Sequence, residues 1–486
     1  MIIVYNEGVM VFSDLFFVFV FLAACFLCYF CSPKLWIKNG VLIVFSLFFY
    51  AWGEPTYVAL LLASTLVNYV SGLIIDKKRD TGAAKAAIAA AIIFNIGMLF
   101  VFKYTNFFIE NINAVLSTSI PLTNIKLPIG ISFFTFQIMS YIIDCYWGKV
   151  DVQKNFFNLL LYISLFPQLV AGPIVRYSTI EKEINDRRTT LKDVSEGSTR
   201  FIVGLSKKVL IANNLFTVVT NLLGDYGTVE HLPENVLGGQ SFVATFVGVI
   251  CYALYVYFDF SGYSDMAIGL GRIFGFHFDE NFRYPFVSKN ITEFWQRWHI
   301  SLGSFFRDYL LYVPIFGKRR KYFGLFLVWF CTGFWHGASW NFIIWGLYFG
   351  IFILIEMLIG KKRMKNIPKV LSHVYSLIVV AIGFAIFYFE DLGDLLMFFR
   401  NIFFISGNAF SDPVSNSLIL NSIYLIAISA IISFPVLPKI KAWFYKNEQR
   451  EAVAVCFTSV TNVLLLLLCI VMLTDSSNNP FLYFRF

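Results

Sequence analysis

The sequence contains little charge. Charged residues make up 14% of the 486-residue chain, whereas hydrophobic residues make up 58% and the mean hydropathy is +0.70. These values exclude an ordinary water-soluble domain, in which about a quarter of the residues are charged. Apolar windows of roughly 17 to 25 residues, the length that crosses a bilayer as helix, recur along the whole chain. The sequence therefore predicts an all-α polytopic membrane protein.

Several other signals are absent. The first apolar window is too long for a cleavable signal peptide and lacks a small-residue cleavage site, so it is expected to remain as the first span. The eight cysteines lie mostly within apolar windows, without outward-facing pairs, so a disulfide framework is not expected. Cys25, Cys28 and Cys31 share a helical face but have no His or carboxylate partner, which favours packing over metal binding. No P-loop is present, and no metal or permanently bound cofactor is expected.

The apolar windows predict roughly 11 to 13 transmembrane helices. Shorter or more polar stretches at 262–276 and 302–316 are predicted to be re-entrant or interfacial. The windows lie near residues 11–31, 36–52, 57–75, 83–104, 128–146, 156–174, 200–222, 240–258, 322–336, 339–359, 369–389, 418–438 and 452–473.

Lysine and arginine in the loops predict the orientation of the chain. Basic residues cluster near 77–79, 176–192, 318–321, 361–365 and 439–450, which we therefore place in the cytoplasm. Three other loops have fewer basic residues and are predicted to face outward; they are 105–127, 223–239 and 390–415. The net charge of +8 is then a signal of topology, and no nucleic-acid partner is expected.

One integral membrane domain is predicted over residues 1–486. Residues 1–125 and 361–486 are plain hydrophobic spans, whereas 126–360 contains nearly all of the embedded polar residues and is expected to form the functional core. Within this core, Leu127–Gln137 combines a proline with small and hydroxylated residues, which favours close helix packing. Gln137 could instead reach a ligand. Phe166–Ile174 has two prolines in an apolar window, which predicts either a kink or a re-entrant turn.

Charged residues lie among aromatic residues between positions 257 and 309. They must be paired internally or face a solvated pocket, because an unpaired charge in an apolar environment is costly. One interpretation is a cytoplasmic mouth for an anionic ligand, with arginines as phosphate partners. The alternative is an interfacial aromatic belt with structural ion pairs. The residues are Asp259, Asp265, Arg283, Arg297, His299, Arg307 and Asp308.

A histidine lies inside an apolar run from Tyr322 to Ile359 that is too long for one span. His336 is flanked by Gly333, Gly337 and further small residues, which predict a helix break beside it. A neutral imidazole can take a proton from a hydroxyl and return it later, so a buried histidine can act as a general base in acyl transfer. A purely structural core histidine fits the pattern equally well. The other histidines, apart from His299, are expected to be structural.

Six ordered motifs together resemble the membrane-bound O-acyltransferase (MBOAT) family. The similarity is to its bacterial subgroup, which includes the alginate O-acetylation protein AlgI, the peptidoglycan O-acetylation protein PatA and the teichoic-acid D-alanylation protein DltB. It covers most of the chain up to about residue 360. The motifs are Leu127–Gln137, Phe166–Ile174, Phe258–Asp265, Asn281–Phe286, Phe294–Leu302 and Thr332–Asn341.

The resemblance implies an MBOAT-like helical fold around a central tunnel and two functional histidines. His336 matches the principal catalytic histidine of the family, and His299 matches a second one nearby. Arg283 and Arg307 are expected to contact phosphates of the acyl donor. The expected substrate and tunnel residues are Trp295, Gln296, Arg297, Trp298, Trp335, Asn341, Asp259, Ser261 and Tyr263.

The resemblance also implies an activity. The expected protein is a multi-pass O-acyltransferase of the bacterial cytoplasmic membrane, which uses acetyl-CoA to O-acetylate an extracytoplasmic polysaccharide such as alginate, cellulose or peptidoglycan. The implied partner is an extracytoplasmic SGNH-hydrolase-like acetyltransferase or a small membrane-anchored acyl acceptor. Two alternatives are D-alanyl transfer to teichoic acid and a non-enzymatic polysaccharide exporter or flippase. A transporter would distribute its ionisable groups over two related halves, and no internal repeat is evident.

The end of the chain is aromatic. In the predicted topology, Thr474–Phe486 lies outside the membrane, where it could form a docking strip for a partner. It could equally lie on the membrane interface without a partner.

Overall fold

The computed structural model describes residues 9–225, 239–311, 321–444, 448–475 and 481–482. In those ranges the regular elements are helices, and none is a strand. The predicted all-α polytopic fold is therefore confirmed. The basic residues at 318–320 and most of the tail 474–486 lie outside the described residues, as does most of the loop 223–239.

Nine helices in the described ranges are long and apolar enough to cross a membrane. Each corresponds to a predicted window. They are Leu35–Gly53, Pro55–Lys77, Gly82–Leu116, Leu191–Leu223, Phe242–Ile273, Trp340–Ile359, Lys369–Tyr388, Pro413–Ile432 and Glu451–Thr474.

The remaining windows contain shorter helices. Lys321–His336 has 16 residues, about 24 Å of helix, which is less than the roughly 30 Å of a hydrocarbon core. The window near 156–174 is broken just before its first proline: the helix Phe156–Ser164 ends, and Phe166–Leu169 forms one short turn with Pro167 as its second residue. The structure therefore has a break in this window, not a kink within one helix. The other two shorter helices are Phe17–Cys31 and Ile131–Trp147.

Residues 262–273 are not the separate re-entrant stretch that the sequence predicted. They continue the helix Phe242–Ile273, which has 32 residues. The polar residues that seemed to end the span at 258 are buried inside the protein, so they do not contact lipid and do not interrupt the helix. In the second such stretch, the helix Ile300–Phe306 is followed by a π-helical segment, Arg307–Leu311. Residues 312–316 are not described.

The chain forms two compact units. The first unit contains the described residues up to Phe201 together with Tyr263–Glu280, and the second contains Ile202–Gly262 together with the described residues from Asn281 onward. This division was not expected from the sequence, which predicted one domain with three regions. The single membrane domain stays a prediction.

Buried polar pairs connect helices within the first unit. Asn68 and Asn95 exchange amide hydrogen bonds of 3.2 and 3.0 Å, and neither side chain is exposed. Reciprocal bonds of this kind satisfy polar groups between apolar helices. Arg200 forms ion pairs with Asp265 at 2.9 Å and with Glu280. Of the two alternatives predicted for the charged residues, internal pairing or a solvated pocket, Asp265 therefore shows internal pairing.

Candidate active site

His336, in the second unit, is the last residue of a helix. The helix Lys321–His336 ends there, and the span Trp340–Ile359 begins four residues later. We call these two helices the histidine hairpin. The break between them confirms the prediction that the small residues after His336 interrupt the apolar run.

Two glycines allow the helices of the histidine hairpin to touch. A Cβ atom on Gly333 would lie 2.3 Å from the carbonyl oxygen of Phe342, and a Cβ on Gly346 would lie 2.3 Å from that of Trp329. Both distances are far below van der Waals contact, so a side chain at either position would force the backbones apart. The position of His336 is therefore fixed by direct backbone packing.

Aromatic rings surround the His336 imidazole, which is 2% exposed. The ring centroids of Trp345 and Phe387 lie 4.8 and 5.4 Å from it, both nearly perpendicular. Trp345 belongs to the histidine hairpin, whereas Phe387 comes from the span Lys369–Tyr388. Three helices therefore contribute to the environment of this histidine.

His299 is buried by a different kind of structure. It is 1% exposed and adopts a left-handed backbone conformation, with φ of 45° and ψ of 52°. This conformation is uncommon outside glycine and marks a sharp change in chain direction. The short helix Ile291–Trp295 comes before it, and the helix Ile300–Phe306 begins directly after it.

Asn281 determines which nitrogen of His299 carries the proton. The backbone N–H of Ser301 donates a hydrogen bond to the side chain of Asn281 at 3.2 Å. Because an N–H can only donate, the Asn281 atom that accepts this bond must be the amide oxygen, Oδ1. His299 Nδ1 lies 3.2 Å from the same oxygen. Nδ1 therefore donates, and Nε2 is the acceptor nitrogen of the neutral ring. Burial also lowers the pKa of His299 to about 3, so the imidazole is neutral at physiological pH.

Trp335 connects the two histidines. Its ring centroid lies 5.8 Å from that of His299 and 4.9 Å from that of His336. On its other side, His299 packs at 4.6 Å against the edge of Phe260. The structure thus brings together the two histidines that the family resemblance singled out. Their catalytic roles stay predictions.

Glu356 is a site residue that the sequence analysis missed. This carboxylate lies in the span Trp340–Ile359 and is 6% exposed. It accepts hydrogen bonds from the backbone N–H groups of Ile291 and Thr292 at 2.6 and 2.9 Å. It also accepts from the hydroxyls of Thr292 and Tyr375 at 2.6 and 3.1 Å. A carboxylate in an apolar window was the available signal, because such groups are retained only for a specific role.

The contacts of Glu356 connect the two histidine environments. Glu356 belongs to the histidine hairpin, and its carboxylate caps the N-terminus of the helix Ile291–Trp295. The first N–H groups of a helix have no partner within the helix, so they need an acceptor of this kind. Hydrogen bonds to a charged carboxylate are about twice as strong as neutral ones. The segment that carries His299 is thus held to the hairpin that carries His336.

Asp259 is paired inside the second unit, which is one of the two alternatives that the sequence allowed. Its Oδ1 lies 2.7 Å from Nζ of Lys208, and neither side chain is more than 1% exposed. Lys208 lies in a π-helical segment, Lys207–Ala212, of the helix Leu191–Leu223. The other oxygen, Oδ2, accepts the backbone N–H of Leu482 at 2.9 Å.

Part of the tail lies inside the second unit. Phe481 and Leu482 are 1% and 5% exposed, and the ring of Phe481 lies 4.5 Å from Nζ of Lys208. The prediction of an exposed docking strip is therefore wrong for these two residues. Their side chains are buried because the aromatic ring can cover the ammonium group and the backbone can satisfy Asp259.

The predicted tunnel residues occupy different environments. Trp295 and Trp298 pack among other aromatic rings; Trp295 lies 5.5 Å from Trp345, and Trp298 stacks on Phe294 at 5.5 Å. Asn341 is fully buried and Gln296 is exposed. Ser261 is buried, with its hydroxyl 3.5 Å from Nζ of Lys207. Tyr263 belongs to the first unit, where its ring stacks on Phe12 at 4.7 Å.

The arginines predicted to bind donor phosphates are exposed in the second unit. Arg307 forms an ion pair with Asp308 at 2.8 Å. The backbone N–H of Arg283 donates a hydrogen bond to the carbonyl of Arg297. The guanidinium of Arg297 lies 2.9 Å from the carboxylate of Glu293. Both predicted explanations of this charged cluster therefore stay open, because ion pairs are present and the arginines still reach solvent.

The geometry suits proton transfer in a dry environment. Two buried imidazoles pack against one indole. Burial among aromatic rings lowers the local dielectric constant, which strengthens any polar interaction with a reacting group. A buried imidazole can act as a general base on a hydroxyl placed within hydrogen-bonding distance.

Residues 150–399 match the family model described as MBOAT, the membrane-bound O-acyltransferase family. The probable alginate O-acetylase AlgI of Azotobacter vinelandii is 34% identical over 517 aligned residues, which cover 98% of this chain and 100% of the relative. The peptidoglycan O-acetyltransferase of Helicobacter pylori is 30% identical, with 98% of each chain covered. The teichoic acid D-alanyltransferase of Bacillus subtilis is 30% identical over 53% of this chain and 68% of its own length.

These similarities define a class of multi-pass membrane enzyme that transfers acyl groups. The chain belongs to the membrane-bound O-acyltransferase family. It is an acyltransferase, and the family resemblance found in its six motifs is confirmed.

Proposed function

We propose that this protein moves an acetyl group from acetyl-CoA, on the cytoplasmic side of a bacterial cytoplasmic membrane, to an acceptor hydroxyl, for O-acetylation of an extracytoplasmic polysaccharide. The observation that carries the proposal is the pair of buried histidines that both pack against Trp335, in a chain that aligns over 98% of its length with relatives named for O-acetylation. His336 is the proposed catalytic residue.

The reaction needs one proton acceptor and no redox partner. The His336 imidazole takes the proton of the acceptor hydroxyl while that oxygen attacks the thioester carbonyl. A C–O bond forms, the C–S bond of the thioester breaks, and the thiolate leaves with the proton that His336 returns. Because His299 is neutral, with Nδ1 held by Asn281, it can accept a hydrogen bond through Nε2 or orient a substrate.

The names of the relatives that align with nearly the whole chain favour acetyl as the acyl group. The names of the Azotobacter and Helicobacter relatives specify O-acetylation, and each of these proteins aligns over 98% of this chain. The relative named for D-alanyl transfer to teichoic acid aligns over 53% of it. D-alanyl transfer is therefore the second candidate, and it requires the same hydroxyl acceptor and thioester chemistry.

A partner protein is part of the proposal. The described ranges are almost wholly helical and contain many candidate spans, with no outward domain large enough to bind a polymer. The acetyl group would therefore pass to an extracytoplasmic SGNH-hydrolase-like acetyltransferase or to a small membrane-anchored acceptor. Such a partner would determine which polymer is modified.

The test is acyl transfer by the purified protein with His336→Ala. Transfer of labelled acetyl from acetyl-CoA to a hydroxyl acceptor should fall about 10²- to 10⁴-fold, the usual contribution of a general base. His277→Ala is the matched control, because His277 is exposed, belongs to the first unit and pairs with Glu183. Wild-type transfer rates in a folded His336→Ala protein would contradict the assignment. A D-alanyl thioester assayed in parallel distinguishes the two donors.

A further inference from the structure

The second unit contains an open cavity of about 480 Å³ that the proposed chemistry does not use. We call it the cationic cleft. It lies on the segment that leads to His299, because three of its lining residues come from positions 289–297. The lining residues that matter here are Lys289, Glu293, Arg297, His373 and Lys439, with the apolar stretch 434–436.

The charges of the cationic cleft do not balance. Arg297 and Glu293 form an ion pair at 2.9 Å and neutralise each other. Lys289 and Lys439 are exposed, and neither ammonium lies within ion-pair distance of a carboxylate of the described residues. Their two charges are therefore left for an external anion, which exposed lysines can approach with little rearrangement because their side chains are flexible.

Backbone contacts hold the other side of the cationic cleft. His373 Nδ1 donates a hydrogen bond to the carbonyl of Ser288 at 3.1 Å. This contact orients the imidazole and connects the span Lys369–Tyr388 to the residue before Lys289.

The cationic cleft lies at the ends of two spans. His373 is in the second turn of Lys369–Tyr388, and residues 434–436 follow the span Pro413–Ile432 after one intervening residue, Ser433. The apolar side chains Phe434 and Val436 are exposed. Basic residues at 361–365 and 439–450 place these ends on the predicted cytoplasmic side. A basic recess with apolar walls at this depth matches amphipathic anions, whose charged group meets the lysines while the remainder contacts apolar surface.

We propose that the cationic cleft binds a phosphate ester, with Lys289 and Lys439 as its charge partners and residues 434–436 as its apolar wall. Two sources share this chemistry: the phosphates of a thioester donor and the headgroup of an anionic phospholipid. The donor source rests on the proposed function, and it would place the phosphates beside the chain segment that ends at His299.

The experiment compares two double variants of the full-length protein in detergent. Lys289→Ala with Lys439→Ala removes both cleft ammonium groups. The control, Lys361→Ala with Lys362→Ala, removes two basic residues of the same interface that do not line the cleft. Thermal unfolding of both variants first verifies that they fold as the wild type does. Binding of CoA and co-purification of phosphatidylglycerol relative to phosphatidylcholine are then measured.

Each basic residue near such a surface contributes about 1 kcal/mol of binding free energy. Because the cleft variant lacks two of them, it should bind its phosphate ligand about tenfold to thirtyfold more weakly. Weaker CoA binding, with a raised KM for acetyl-CoA and an unchanged KM for phosphate-free S-acetylpantetheine, identifies the donor. Loss of phosphatidylglycerol alone identifies the lipid. Unchanged affinity for both ligands in the folded cleft variant overturns the proposal. If the wild-type protein transfers no acyl group from any thioester, the proposed function fails, while the two binding measurements still test the cleft.

Discussion

The two histidines of the candidate site are buried to the same degree by opposite means. His336 is fixed by packing: glycines bring two helix backbones into contact, and aromatic rings surround the imidazole. His299 is fixed by hydrogen bonds: its ring donates to the amide oxygen of Asn281, and the helix before it donates backbone N–H groups to Glu356. A closely packed helix contact is destabilised by added side-chain volume, whereas a hydrogen-bonded segment is destabilised by the loss of a donor or acceptor. The two regions should therefore fail under different substitutions.

The largest expected effect comes from adding volume beside His336. In Gly346→Ala the new methyl group would lie 2.3 Å from the carbonyl oxygen of Trp329. The hairpin helices must then separate, which should destabilise the protein by about 3 kcal/mol, the upper end of the usual cost of overpacking. The measurement is thermal unfolding of the purified protein in detergent. Gly40→Ala is the control, because a Cβ at Gly40 would meet nothing within 4 Å; equal unfolding of the two variants would refute the packing argument.

A smaller loss is expected where Glu356 holds the His299 segment. Glu356→Gln keeps the side-chain shape but replaces a charged acceptor oxygen with an NH₂ group that faces a backbone N–H. The cost should be about 2 to 3 kcal/mol, and acyl transfer should fall even at temperatures where the variant is folded. The exposed Glu110, in the first unit, provides the control Glu110→Gln. Full activity of Glu356→Gln would show that the capped helix does not depend on this carboxylate.

The Asn281 amide should contribute less to stability than Glu356. Asn281→Ala removes the oxygen that accepts from Ser301 and from His299 Nδ1. We expect a destabilisation of about 1 to 2 kcal/mol and a larger loss of activity, because the imidazole can then rotate or change tautomer. Asn39→Ala, which removes a buried amide that donates to the carbonyl of Ile184 in the first unit, is the control. If both variants keep wild-type activity, Asn281 has no orienting role.

The smallest effect on stability at neutral pH is expected from the protonation of His299. The pKa of His299 is lowered by burial from 6.5 to about 3 in the folded protein. Below pH 6.5 the unfolded chain binds a proton that the folded chain does not, so stability should fall as the pH drops from about 6.5 toward 3. The free energy of unfolding of His299→Gln should depend less steeply on pH between about 6.5 and 3 than that of the wild type. Identical slopes for wild type and variant would mean that His299 takes up its proton in the folded state.

The apolar pattern was enough to predict the helical fold, since each helix of the described ranges that is able to span a membrane corresponds to a window in the sequence. It failed where polar residues are buried by partners distant in the chain. The span that contains Asp259 was ended too early because its partner Lys208 lies 51 residues earlier, and a hydropathy window sees only local composition. The break beside His336 was predictable because its cause, a run of small residues, is local.

The candidate site shows the same limit. His299 and His336 could be identified from motifs, but the contact of both rings with Trp335 is a tertiary feature. The carboxylate of Glu356 was visible in an apolar window, but its partners Ile291 and Thr292, about 65 positions earlier, are brought to it only by folding. The tautomer of His299 depends on Asn281, which lies 18 residues earlier, and no spacing rule predicts such a bond.

The bond between Asp259 and Leu482 has a consequence for biosynthesis. The two residues are 223 positions apart. At a translation rate of roughly 5 to 20 residues per second, about 10 to 45 seconds pass between the synthesis of the carboxylate and that of its second hydrogen-bond donor. During this interval Lys208 and Asp259 are already made, but the segment that covers them is not. The charge pair of the nascent second unit therefore lacks one hydrogen-bond donor until Leu482 has been synthesised, so its burial can be completed only at a late stage of folding.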